Sequence, residues 1–142
     1  MKKTIFLVFL ISLFFYGCKN ENENYIESIK YFRKEDAPGP DKIEFYLKVS
    51  KEVNHLMNED SLTRQIFVIN KTEIIDYPAF FFGLEKLEQN KVKYTFVTPY
   101  FLVSDSKLKH MSGNELNEYF NKSKNLKLIL HFNKNVFEFK NK

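Results

Sequence analysis

One cysteine, three histidines and a scatter of serines, lysines and carboxylates are the groups in this 142-residue chain able to do chemistry. His55, His110 and His131 stand far apart, with neither a His-x-His nor a His-Glu-x-x-His spacing, so a metal site would need the fold to converge them with carboxylates. No metal or other cofactor is expected. Ser104-Asp105-Ser106-Lys107 carries a Ser-x-x-Lys spacing, repeated by Ser106 and Lys109. On a helix, that spacing sets a lysine beside a serine hydroxyl to help remove its proton. Here the companion motifs are missing and the stretch reads as a loop. Glu35-Asp36 and Glu59-Asp60 are adjacent carboxylates, which point apart on a strand and form no acid/base pair by themselves. Asp36 and Asp41 lack the alternating ligands of a calcium loop. Asn70-Lys71-Thr72 and Asn121-Lys122-Ser123 match glycosylation sequons, and the four glycines form no phosphate loop. The chain is read as a non-enzyme with no catalytic residues.

That leaves Cys18. Met1-Lys2-Lys3-Thr4 is followed by an apolar run from Ile5 to Tyr16, broken only by Ser12, and then by Gly17-Cys18-Lys19. A basic head, a short apolar stretch and a small residue before a cleavage point make a secretory signal peptide. Twelve helical residues span about 18 Å, against about 30 Å for a bilayer core, too short for a comfortable membrane span. With the sole cysteine at the junction, residues 1–18 resemble the signal and lipobox of bacterial lipoproteins. Gly17 is the small residue that this pattern places before the cysteine, whereas Phe15 and Tyr16 stand where it has an aliphatic and a small residue. The resemblance implies cleavage between Gly17 and Cys18, diacylglycerol on the Cys18 sulfur and usually an acyl group on its amine. Two or more acyl chains anchor stably where one does so only marginally.

Lys19 to Asn24 contains no apolar residue and reads as a solvated tether reaching at most about 20 Å. A charged, acid-containing stretch directly after the cysteine also resembles the surface-export signal of Bacteroidota lipoproteins. The location implied is the cell envelope, lipid-anchored to the outer membrane on its periplasmic face or at the cell surface. The organisation expected is a signal peptide at 1–17, a lipidated cysteine and tether at 18–24, and one β-rich domain at 25–142. With its cysteine on lipid, the domain has none left for an intrachain disulfide and depends on packing. Loss of Lys2 and Lys3 halves the formal charge of +4, and Arg33 and Arg64 are the only arginines. Nucleic-acid readers favour arginine and usually show a basic patch, neither of which is visible in the sequence, so no nucleic-acid partner is expected.

Lys42 to Ser50 alternates, with Ile43, Phe45, Leu47 and Val49 on one side, as a half-buried strand does. Tyr25 to Arg33 is a weaker strand that pairs with it through the turn-rich 36–41 loop. Gln65 to Asn70 holds an apolar run suited to a buried strand. Lys91 to Thr98 points Val92, Tyr94 and Phe96 inward until Pro99 stops pairing, after which 101–103 resumes it. Ser112-Gly113-Asn114-Glu115 fits a capping box, with Leu116, Tyr119 and Phe120 on one helical face. Leu126, Leu128, Leu130 and Phe132 alternate into an Asn133-Lys134-Asn135 turn and a C-terminal hairpin. Six or seven short antiparallel strands and one late helix predict a mainly β domain, an immunoglobulin-like antiparallel sandwich first. The alternative is an α+β fold with the helix packed on an antiparallel sheet, favoured if 50–64 hides a short helix.

Tyr77-Pro78-Ala79-Phe80-Phe81-Phe82-Gly83 holds four aromatics in seven residues. One reading is a core strand with Phe on both faces. The other is an exposed patch, in which Tyr77, Phe80, Phe81, Phe82 and Tyr100 edge a partner-binding surface. The function expected is that of a lipid-anchored envelope lipoprotein whose non-catalytic domain binds a protein or assembles into a complex. The alternatives are a membrane-tethered immunity or inhibitor protein and a small-ligand or glycan binder.

Overall fold

A computed structural model of the chain describes residues 24–34, 41–69, 72–76, 82–97 and 108–142. Eight strands form one sheet in the order β4-β3-β7-β8-β1-β2-β6-β5. They are β1 (Tyr25–Phe32), β2 (Lys42–Lys48), β3 (Leu62–Ile69), β4 (Thr72–Asp76), β5 (Phe82–Leu87), β6 (Lys91–Val97), β7 (Lys127–Phe132) and β8 (Asn135–Asn141). Two helices, α1 (Lys51–Leu56) and α2 (Gly113–Lys122), and a 3-10 turn at Glu59–Ser61 complete the described elements.

The domain is mainly β, as its alternating apolar residues predict. The immunoglobulin-like sandwich of two facing sheets is not what the strands build: they make one curled sheet, a half-barrel. The sheet is mixed, because β1 and β8 run parallel at Tyr25↔Lys140 and Ile26↔Asn141 while the other neighbours are antiparallel. The reason is geometric. The two edge strands, β4 and β5, are seven spacings apart, about 34 Å in a flat sheet at ~4.8 Å per strand. Only residues 77–81 join Asp76 to Phe82, a link that reaches at most about 21 Å. The sheet has to curl for its edges to be joined.

Curling fills the interior with rings. Phe67 on β3 lies 5.2 Å edge-on from Phe45 on β2 and 6.2 Å from Phe96 on β6, although four and five strand spacings separate them around the sheet. Phe45 and Phe96 stack in neighbouring strands at 5.9 Å. Phe120 of α2 closes the interior, 6.0 Å from Phe67 and 5.9 Å from Tyr31. Ile43, Phe45, Leu47, Val92, Tyr94, Leu128 and Leu130 are all buried, on the inward positions that alternation assigns them.

Helix α2 begins as its sequence predicts. The Ser112 hydroxyl accepts from the Glu115 amide, and the Glu115 carboxylate accepts from the Ser112 amide at 2.7 Å. Its inner residues Leu116 and Phe120 are buried. Alongside them Asn117 and Asn121 bond the backbone of Tyr31 and Ile29, over the part of β1 that β8 does not reach. Helix α1 lies within the 50–64 region, capped by Ser50 and anchored by buried Val53, a feature that favours the α+β alternative, although the sheet is mixed and not antiparallel. The strand at Thr72–Asp76 has no counterpart in the sequence reading.

Candidate functional site

The sequence candidates fall largely outside the described residues. Gly17 and Cys18, the 101–103 segment, and Tyr77, Phe80, Phe81 and Tyr100 all lie there. Phe82 opens β5, its backbone paired with Phe96. Along the chain, residues 77–81 link β4 to β5, the two strands at the ends of the sheet among the described residues. Asp41 is engaged within the β1–β2 connection, accepting from the Tyr31 hydroxyl at 2.8 Å and the Lys34 amide at 2.7 Å. Glu59 and Asp60 are exposed in the 3-10 turn, where Asn58 accepts from the Asp60 amide. His55 and His110 are exposed, and His131 is half-buried on the outer face of β7, opposite Arg64. Among the described residues no group of three His, Cys, Asp or Glu gathers as metal ligands would.

The structure brings together a different set. Where β1 meets β8, a groove of about 400 Å³ is lined by Asn24, Tyr25, Glu138, Lys140, Asn141 and Lys142. Its floor exists because the C-terminal hairpin delivers β8 parallel to β1 for just two registered pairs. The Lys142 ammonium lies 4.6 Å from the centre of the Tyr25 ring, a cation–π contact across the groove. Asn141 is fixed by three bonds from its side-chain amide to the carbonyls of Phe120, Asn121 and Ser123, which tie β8 to the C-terminus of α2. Glu138 accepts from Lys140 at 3.3 Å and stands 3.4 Å from Lys127. Burial pushes its carboxyl upward, but the hydrogen bonds from Lys140 and Lys127, with their charges, outweigh this and hold it below the usual value. It is therefore a carboxylate at neutral pH, shared between two cations.

On the far side of Tyr25 the same pattern continues. Glu27 is the extra residue of a β-bulge between Ile26 and Ser28, and the bulge lets it reach Lys91 at 2.9 Å. Lys48 donates to the carbonyl of Gln89 in the 88–90 turn. These groups can bind an anion and hold it by charge and hydrogen bonding. No family model, curated protein or solved structure matches this chain.

Sequence reasoning missed this groove. Its lysines, Lys140 and Lys142, follow the last strand read from the sequence and belong to no motif. Their convergence depends on cross-strand register, which no local pattern carries.

Proposed function

We propose that the chain is a lipid-anchored cell-envelope lipoprotein whose β-rich domain binds another protein or assembles it into an envelope complex, without catalysis. The anchor rests on residues 1–18: basic head, short apolar run, Gly17 and the sole cysteine. The binding role rests on one observation: the two edge strands β4 and β5, each paired on one side among the described residues, are joined directly by the aromatic run 77–81. An unpaired strand edge offers a row of backbone donors and acceptors for strand addition, and aromatic side chains beside it supply large rigid contact area.

The test is crosslinking of the acylated protein in living cells, followed by tagged recovery and mass spectrometry beside a Cys18→Ala control. One stoichiometric partner lost in the control supports a component of a membrane-tethered complex. The same partner recovered without the anchor points to an inhibitor or immunity role. Absence of any partner in both overturns the protein-binding reading in favour of a ligand binder.

A further inference from the structure

Five residues stand side by side on the outer, convex face of the sheet. Lys127 opposes Lys140, Lys140 opposes Tyr25, Tyr25 opposes Lys48 and Lys48 opposes Lys91. Directly opposed residues share a face. The residues one step along these strands, Leu128, Phe139, Ile26, Leu47 and Val92, are all buried in the core, which puts the lysines outside. The row covers four strand spacings, about 19 Å. Lys142 adds a further cation over the Tyr25 ring.

Like charges directly opposite one another weaken a sheet, and this row contains two such pairs, Lys127/Lys140 and Lys48/Lys91. Glu138 and Glu27 relieve them in part. Five lysines against two salt-bridged carboxylates leave the strip positive, and a positive strip calls for an anion.

The chain itself supplies the direction in which to look. Tyr25 is the first strand residue, and the row is centred on it. Seven steps separate Cys18 from Tyr25, at most about 25 Å when extended, so a lipid on Cys18 would keep the centre of the row within that distance of the bilayer. Electrostatic attraction to an anionic surface acts within a Debye length, about 8 Å at physiological salt, well inside the slack of the tether.

We propose that the Lys127–Lys140–Tyr25–Lys48–Lys91 row, with Lys142, is a membrane-docking surface that takes the phosphates of anionic phospholipid headgroups, the Tyr25 groove receiving one of them. This rests on the lipid-anchored reading above. It makes the domain lie against the bilayer on this face instead of swinging freely on its tether. An acyl anchor joined by a basic patch is the two-signal arrangement that holds proteins firmly at membranes.

The acylated full chain is reconstituted into vesicles of phosphatidylcholine alone and into vesicles of equal parts phosphatidylcholine and phosphatidylglycerol. Exposed amines are then labelled with an acetylating reagent and read by mass spectrometry. Flotation with the pure phosphatidylcholine vesicles reports the anchor independently of the row. The expected result is that Lys48, Lys91, Lys140 and Lys142 label several-fold more slowly on the phosphatidylglycerol vesicles, while Lys34, Lys109 and Lys134 label equally on both. Protection should vanish near 1 M salt, where the Debye length falls to about 3 Å. Each lysine at an anionic surface contributes about fivefold in affinity, so K140S with K142S should restore most of the labelling of Lys48 and Lys91. Floating protein whose row lysines label equally on both vesicle types overturns the docking surface and leaves the anchor intact. Protein that does not float overturns both.

Discussion

The side-chain amide of Asn121 and the backbone of Ile29 exchange two hydrogen bonds, Ile29 N–H donating to Oδ1 at 2.9 Å and Nδ2 donating to the Ile29 carbonyl at 2.7 Å. This is the bonding a neighbouring strand would provide. β8 pairs with β1 at Tyr25 and Ile26, and among the described residues the next stretch of β1 has no ladder on that side. Asn121, and Asn117 one turn earlier at the Tyr31 amide, stand in for the missing strand and fix α2 along the sheet. Leaving two partly buried backbone groups unsatisfied costs more than the bonds themselves contribute. Asn121→Ala should therefore destabilise the domain by about 2 kcal/mol in urea unfolding. The effect should be read with Lys122→Ala as a control, whose ion pair with Glu118 is solvent-exposed and worth at most about 0.5 kcal/mol.

Phe67 is where the curl of the sheet is held, since it touches Phe45, Phe96 and Phe120 from three other elements. Phe67→Ala should cost about 3–5 kcal/mol, the range for emptying a buried aromatic site. Val136, on the β8 surface and 57% exposed, should tolerate Ser within about 0.5 kcal/mol. Thermal unfolding of the two variants should separate them clearly, and equal losses would mean the aromatic interior does not sustain the fold.

The Glu115 carboxyl is held below the ordinary 4.5 by hydrogen bonds from the Ser112 amide and hydroxyl. A lowered folded-state value means that its contribution is present above the unfolded value and fades as pH falls through the folded one. Acidification should therefore fray the first turn of α2 before the sheet melts. An NMR titration should show the Ser112 amide shifting with the Glu115 carboxyl at a pH below 4.5, and Glu115→Gln should abolish that step.

The aromatic link carries the prediction for function. Tyr77→Ser and Phe81→Ser should weaken capture of the crosslinked partner at least several-fold, with the melting temperature nearly unchanged. A collapse of stability in either variant would assign these rings to the interior and remove them from the binding surface.

How legible the fold was depended on whether a strand kept its period. β2, β6 and β7 alternate without interruption, and every inward residue read from them is buried. β1 read weakly because the bulge at Glu27 separates buried Ile26 and Ile29 by three positions, a spacing that breaks the two-residue period. The apolar run of β3 suits a buried strand, yet Ile66 and Val68 are half-buried on its outer side, alternating with Gln65, Phe67 and Ile69 inside. The Asn121 sequon carried no chemical signal, because an asparagine acting as a strand surrogate looks like any polar residue on a helix.

By itself, the sequence determined the β-rich class, the inward residues of the regular strands, the capping box of α2 and the pattern from which an anchor at Cys18 is inferred. All of these are local: each is decided by residues within one turn or one strand of each other. Only the tertiary structure decided that there is one curled sheet instead of two, that β1 and β8 run parallel, that Phe67 meets Phe45, and that four lysines share a row with Tyr25. Alternation says which face of a strand is buried but not which distant strand buries it. Cross-strand neighbours depend on register between segments up to about a hundred residues apart, and there the chain has to close on itself before the chemistry exists.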